Sequence, residues 1–289
     1  MIKTPLSTVI GGAGIWTPEA TVINGAKLSF ETVMKKLFAN NEQGFFYDSN
    51  DLSTMYQDAA GTVPATAVGQ PVGLMLDKSK GLVLGSELAS VTEVVSLPID
   101  DVVGVKTYNI GKVAIGKTYQ ISFTVTNYTG SGDVGIAGPS THWADGTAVN
   151  TASNGTKTCI RTNIGTGSIN LYTRNTAACV FSNISIKELK GNHAYQSTSS
   201  MRPLLTASPQ RLDYDTAEDK LITALPAQLT GCTVVRSVPN VGTQILTGQT
   251  IPATYNDNTD HCGLIVINRA LTPSETSAIA AEFNKRAGV

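Results

Sequence analysis

Apolar positions along the chain first follow a helical period. Phe30, Val33, Met34, Leu37 and Phe38 recur at i, i+3, i+4, i+7 and i+8 and form one stripe. Ser29 stands where an N-cap is needed, and Asn40-Asn41 suits the exit. Such a stripe either covers a sheet of the same chain or packs against a partner subunit. From about residue 82 to 190 the period changes to two. In Tyr119-Gln-Ile-Ser-Phe-Thr-Val-Thr, the residues Tyr119, Ile121, Phe123 and Val125 face one way and polar side chains the other. Residues 113–117, 168–173 and 179–187 continue the theme, separated by turns such as Tyr128-Thr-Gly-Ser-Gly-Asp. Short strands at this spacing predict a two-sheet sandwich.

The flanking regions read differently. The first 28 or so residues are punctuated by Gly11-Gly12-Ala13-Gly14 and Trp16-Thr17-Pro18, as expected of a segment that docks on something else. Residues 45–80 read as short extended pieces joined by turns. Thr233-Val-Val-Arg and Gly263-Leu-Ile-Val-Ile predict further strands near the end. A helix closes the chain: Thr272 is its N-cap, Pro273 sits at N1, Glu275 completes a capping box, Ile279 and Phe283 lie on its apolar side, and Gly288 ends it. There is no internal repeat and no heptad seam.

Composition sharpens the β reading. Only 15% of the 289 residues are charged, against about 25% in an ordinary globular domain, and Gly, Thr, Ser and Asn fill the gap. The length suits one large or two ordinary domains. With 21 basic and 22 acidic side chains the net charge is −1, which supplies no field for a polyanion and argues against nucleic-acid binding. No apolar run approaches the ~20 residues that cross a bilayer, and the first residues lack the apolar stretch of a signal peptide.

Candidate chemistry is sparse. Cys159, Cys179, Cys232 and Cys262 never form Cys-x-x-Cys, so a metal site is not expected. Cys159 and Cys179 could face each other on neighbouring strands, with buried thiols as the default. His142, His193 and His261 fit no Ser-His-Asp arrangement, and no nucleophile elbow or phosphate loop is present. Asn256-Asp-Asn-Thr-Asp260 opens like a calcium loop but lacks its glycine and bidentate Glu. A looser site on Asp257 and Asp260, or simply a polar turn, remains. Asp100-Asp101 and the pair Asp213 and Asp215 read as solvated charges rather than a hydrolytic pair. No catalytic residue, no metal and no cofactor is expected. Sugar binding suits this chemistry better, because aromatic faces and planar polar groups hold glycans without unusual pKa values. Its candidates are Trp143, Tyr172, His142 and Tyr128. Trp143 lies in a loop-like stretch, as a sugar platform or as a plug for the sandwich end. Tyr172 alternates out of phase with Ile169 and Leu171 and should point away from their core.

Three stretches resemble the tail-fibre and related appendage proteins of tailed bacteriophages. They are Gly44-Phe-Phe-Tyr-Asp-Ser-Asn-Asp-Leu with Gly69-Gln-Pro-Val-Gly-Leu-Met-Leu-Asp-Lys-Ser, Gly191-Asn-His-Ala-Tyr-Gln-Ser, and Leu212-Asp-Tyr-Asp through Thr254-Tyr-Asn-Asp-Asn-Thr-Asp-His-Cys-Gly-Leu-Ile-Val-Ile. In that group the Asp-Lys-Ser element runs straight into Gly-Asn-His-Ala within a concanavalin-like (laminin-G-like) sandwich. Here the two are far apart, so the resemblance implies an insertion that brings residues 78–81 near 190–193. The insert, through Gly116-Lys-Thr-Tyr-Gln-Ile-Ser-Phe-Thr-Val and Phe181-Ser-Asn-Ile-Ser-Ile-Lys-Glu-Leu, resembles jelly-roll carbohydrate-binding modules. The implied organisation is mainly β: an N-terminal arm and helix over 1–44 for particle attachment, a discontinuous concanavalin-like domain over 45–81 and 191–289, and a jelly roll over 82–190. The implied protein is a virion component assembled in the bacterial cytoplasm. It would be a tail fibre or appendage contributing to attachment at host surface glycans, or a head decoration, head fibre or collar protein with a purely structural role. Its partners would be other virion proteins, reached through the arm, and further copies of itself, with a trimer favoured. Neither nucleic acid nor membrane insertion is implied.

Overall fold

The computed structural model describes residues 29–95, 105–137, 143–144, 147–165, 167–215 and 217–289. The chain is mainly β, built from antiparallel sheets stacked in pairs. Helix α1 (Phe30–Leu37) begins where Ser29 accepts the N–H of Thr32, and Asn41 beyond its end takes a left-handed conformation at φ 63°. Its stripe covers a sheet of the same chain. That sheet runs in the order β1 (Gly44–Tyr47), β20 (Leu264–Ile267), β17 (Leu229–Val238) and β18 (Gly242–Ile251). Strands β1 and β20 are buried on both faces, which explains why Phe45-Phe46-Tyr47 and Leu264-Ile265-Val266-Ile267 are continuous apolar runs. Phe46, Ile265 and Ile267 meet Val33 and Leu37 of α1, together with Ile279 and Phe283 of α2 (Pro273–Ala287). The predicted capping box of α2 forms, and Gly288 ends the helix at φ 83°.

Phe45, Tyr47, Leu264 and Val266 point the other way, onto a second sheet. Its order is β19 (Thr254–Asp257), β16 (Leu221–Ala224), β13 (Ala194–Tyr195), β3 (Leu74–Met75) and β2 (Met55–Tyr56). A short ribbon, β14 (Leu204–Thr206) with β15 (Arg211–Asp213), closes one end of the core through Leu205 and Leu212.

Between β3 and β13 the chain builds a second sandwich. One sheet has the order β10 (Gly155–Thr162), β7 (Thr118–Thr129), β12 (Ala178–Leu189) and β4 (Leu84–Glu87), with β5 (Val94–Val95) also on β12. The other has the order β6 (Val105–Val113), β11 (Gly167–Arg174), β8 (Val134–Ala137) and β9 (Val149–Thr151). With β5 set aside, first strand beside last and second beside next-to-last is the winding of a jelly roll. Tyr119, Ile121, Phe123 and Val125 fill the space between the sheets with Ile169, Leu171 and Phe181. The extended stretch expected at 113–117 is corrected: β6 ends at Val113, and Gly116 turns the chain at φ 72°, leaving Ile115 exposed. Cys159 and Cys179 are not on neighbouring strands, since β7 separates β10 from β12. All four cysteines are buried, and burial pushes the Cys179 thiol up to about 11.

The jelly roll begins and ends at one place. Leu84 on β4 pairs with Leu189 on β12, and the N–H of Lys190 donates to the carbonyl of Val83 at 3.0 Å. Just outside this pair lies the carboxylate of Asp77, 0% exposed. Its Oδ1 accepts the N–H of Phe46 at 2.8 Å and of Ser79 at 2.7 Å; its Oδ2 accepts the Ser79 hydroxyl at 2.8 Å and the N–H of Asn192 at 2.7 Å. Gly191 (φ 135°) lies so near that a Cβ there would come 2.9 Å from Asp77 Oδ2. The Asn192 side chain donates to the carbonyl of Gly44 at 2.7 Å, and its own carbonyl accepts the Tyr47 hydroxyl at 2.6 Å. Away from this knot, Leu74, Leu76, Ile160 and Leu189 form an apolar seam between the sandwiches. The carbonyl of Ala60 accepts the N–H of Ile160 at 3.1 Å and the Arg161 guanidinium at 2.7 Å.

Removing the Asp77 carboxylate strands the buried N–H of Phe46 and the part-buried N–H groups of Ser79 and Asn192, so Asp77→Ala is expected to cost about 3 kcal/mol. Calorimetry should then show the single transition splitting in two as the sandwiches uncouple; one unchanged transition would refute the role given to Asp77.

His193 adds a pH dependence. Its Nδ1 accepts the N–H of Asp77 at 2.9 Å, so Nε2 carries the proton donated to the carbonyl of Leu189 at 3.0 Å. Burial lowers its pKa to about 4. A depressed histidine contributes stability that is complete above its unfolded value near 6.5 and is lost as pH falls through 4. Asp77, pushed up to about 6 by burial, acts with the opposite sign. A comparison with His193→Asn, which keeps an acceptor for the Asp77 N–H, isolates the histidine. Between pH 7 and pH 4 the native chain should lose on the order of 3 kcal/mol more than the variant in denaturant titrations.

Candidate functional site

The described sugar-platform candidates do not share a surface. Trp143 is 3% exposed and sits inside the jelly-roll core with Ile121, Phe123 and Leu171. A bridge to Asn163 and the N–H of Ala144, donating to the carbonyl of Thr162 at 2.8 Å, hold it there. Of the two expected roles it takes the packing one. Tyr128, on β7, is half-buried against the same core, and its hydroxyl donates to the carbonyl of Gly132 at 2.7 Å.

Tyr172 does point away from Ile169 and Leu171, as its phase in β11 requires, but that does not expose it: it is 1% accessible. Its hydroxyl donates to Asp133 Oδ2 at 2.8 Å, the Arg174 guanidinium lies over its ring at 5.1 Å, and Asn150 donates to the same carboxylate oxygen at 2.6 Å. Burial, then the neighbouring carboxylate, pushes the phenol up to about 12. The ring face a sugar would need already carries a guanidinium. His142 lies outside the described residues, as does Asp100-Asp101.

The remaining acidic candidates are engaged by protein groups. Asp257 is fully buried; its Oδ2 meets His261 Nε2 at 2.7 Å and the Tyr214 hydroxyl at 2.8 Å, and Arg236 lies 3.5 Å from Oδ1. Its pKa is lowered, because His261 and Arg236 outweigh the cost of burial. Asp260 accepts the N–H of Tyr214 at 2.8 Å. Asp213 pairs with Arg211 at 3.2 Å, and Asp215 accepts the N–H groups of Ala217, Glu218 and Asp219, a local turn. No group of three metal-ligating side chains occurs among the described residues.

A concavity among the described residues went unread in the sequence. A groove of about 960 Å³ runs between α1, α2 and the 78–81 turn. Phe30, Met34, Phe38 and Phe46 make its apolar part, and Lys35, Lys78, Lys80, Lys285 and Arg286 face Glu31, Asp48 and Glu282 around it. Cations lie over its rings: Lys78 over Phe46 at 5.8 Å, Lys80 over Phe38 at 5.7 Å and Arg286 over Phe30 at 4.9 Å. Lys78 is tied to Asp48 at 3.0 Å and Asp51 at 2.6 Å, and Arg286 to Asp48 at 2.5 Å, so this wall is held in place. An apolar floor with paired charges of both signs suits an extended peptide better than a small charged ligand. The α1 stripe was the available signal, but how much of Phe30 and Met34 stays accessible depends on where α2 docks, which lies far along the chain.

Trp143→Ala should cost about 3–5 kcal/mol in denaturant unfolding, the loss expected for a core indole. A variant of unchanged stability would return Trp143 to the surface.

No family model matches this chain, and neither a curated protein nor a solved structure matches it.

Proposed function

We propose that this chain is a structural protein of a tailed-phage particle, a fibre or related appendage component, in which the jelly roll serves as a rigid scaffold. The particle assignment draws on the three sequence stretches that resemble phage appendage proteins. The choice of scaffold over glycan adhesin draws on one observation, the inward or covered placement of Trp143, Tyr172 and Tyr128. Arrest of the jelly roll at its two ends, along the apolar seam and at Ala60 favours the same reading. A module joined at so many points transmits load as one body instead of swinging on a tether. In this reading the chain carries no catalytic role, works as copies assembled on the particle, with the trimer that the resemblance implies, and meets other virion proteins through its N-terminal region.

Two measurements on one phage preparation test this. Antibody raised against the purified chain should decorate intact particles in electron micrographs. Pre-incubating host cells with the folded protein should leave the rate of phage adsorption unchanged. Adsorption that falls with protein dose would overturn the scaffold reading in favour of host-surface attachment. Particles bare of antibody, and free of the chain by mass spectrometry, would sink the particle assignment itself.

A further inference from the structure

We infer that the turn between β9 and β10 is a self-modifying site, at which Asn154 loses its side-chain amide to attack by the backbone nitrogen of Gly155 and becomes aspartate or isoaspartate in the folded chain. The inference stands apart from the particle assignment, since it needs only this turn and the strand beside it. Among the described residues Asn154 is the one asparagine followed directly by glycine, and both residues are exposed. Gly155 stands at φ 135°, and a Cβ built there would meet nothing within 4 Å, so the chain has open space on this side in which a ring can form.

A second observation concerns the atom on which charge develops. Tyr128 on β7 donates its N–H to Asn154 Oδ1 at 2.9 Å. When the Gly155 nitrogen adds to Cγ of Asn154, negative charge builds on Oδ1, where that N–H already points. The turn is held from both sides: the Thr151 hydroxyl donates to the carbonyl of Ser153 at 3.3 Å, and Gly155 is in register with Val125 of β7. Nucleophile and electrophile belong to consecutive residues, so nothing has to be brought from a distance.

The bookkeeping of atoms closes with water alone. The Gly155 nitrogen gives up its proton and bonds to Cγ; the bond from Cγ to Nδ2 breaks, and that nitrogen leaves as ammonia with the proton. Solvent water then opens the cyclic imide. Opening between the nitrogen and Cγ leaves aspartate. Opening between the nitrogen and the main-chain carbonyl carbon leaves isoaspartate, with one more methylene in the backbone. Either product adds a negative charge to the rim of the jelly roll. Aspartate keeps an oxygen for the Tyr128 N–H, whereas isoaspartate carries its carboxylate on Cα, away from that donor.

The test keeps the full chain in mildly alkaline buffer, digests it at intervals and reads each asparagine by mass spectrometry, with fragmentation that separates isoaspartate from aspartate. A synthetic peptide of residues 148–160 runs beside it. Asn154 should convert ahead of every other described asparagine, and about tenfold faster than in the peptide, which lacks the Tyr128 donor. Asn154→Gln, which would have to close a larger ring, should leave position 154 unconverted. A rate in the folded chain no faster than in the peptide, or conversion led by another described asparagine, overturns the inference. Amide exchange at Tyr128 reads the contact separately. Protection should survive in Asn154→Asp and be lost in the isoaspartate product, and equal protection in the two counts against the role given to Tyr128.

Discussion

Asp77 holds three chain segments that are distant in sequence. One carboxylate accepts from Phe46 on β1, from Ser79 just before the jelly roll and from Asn192 just after it. Everything inserted between residues 79 and 191 hangs from that group, and the edge of the helix-covered sheet is closed by it. In water a carboxylate is satisfied by solvent. Here, fully buried, it depends on these donors, and the buried N–H of Phe46 in turn depends on it. The arrangement is consequently all-or-none: the first strand of the outer sandwich and both ends of the insert find their places together or leave costly groups unmet.

The second level of organisation is the double use of one sheet. Alternate residues of β1 and β20 serve opposite cores, Phe45 and Val266 facing the partner sheet, Phe46 and Ile265 facing the helices. The helices therefore do more than decorate a sandwich, because without them Phe46, Val235, Ile265 and Ile267 would be left to water. The groove is a by-product of this arrangement. Helix α1 packs on both the sheet and α2 without burying its whole stripe, and the part left half-buried is where Phe30 and Met34 line the groove.

Much of the fold was legible because its signals are local. The caps at Ser29 and Thr272, the alternation from Tyr119 to Val125 and the apolar run at β20 depend on nearest neighbours and survive intact. What failed depended on partners far along the chain. Trp143 sits in a polar, glycine-flanked stretch that reads as a surface loop, yet the bridge to Asn163 turns it inward. Tyr172 shows the limit of phase as a guide. Alternation reports which side of a strand a residue takes, while Asp133 and Arg174 decide whether that side meets solvent. Asp77 stood in the Asp-Lys-Ser element that the resemblance places beside Gly191-Asn-His-Ala, but that its carboxylate would bind both Phe46 and Asn192 depended on partners far along the chain.

The neighbouring placement of β4 and β12 has a bearing on how such a chain can change over time. A segment that leaves and re-enters a domain through adjacent antiparallel strands asks little of that domain beyond a closed pair of ends. From the side of the outer sandwich, over a hundred residues amount to a long hairpin. The seam at Ile160 and the contact at Ala60 are a part of the described interface specific to this particular passenger. Gly61 carries the mark of that fit, since a Cβ there would lie 2.7 Å from Ile160 Cβ. The outer frame is in this sense a socket, and exchanging its cargo would mean rewriting one loop and one patch while the Asp77 lock stays as it is.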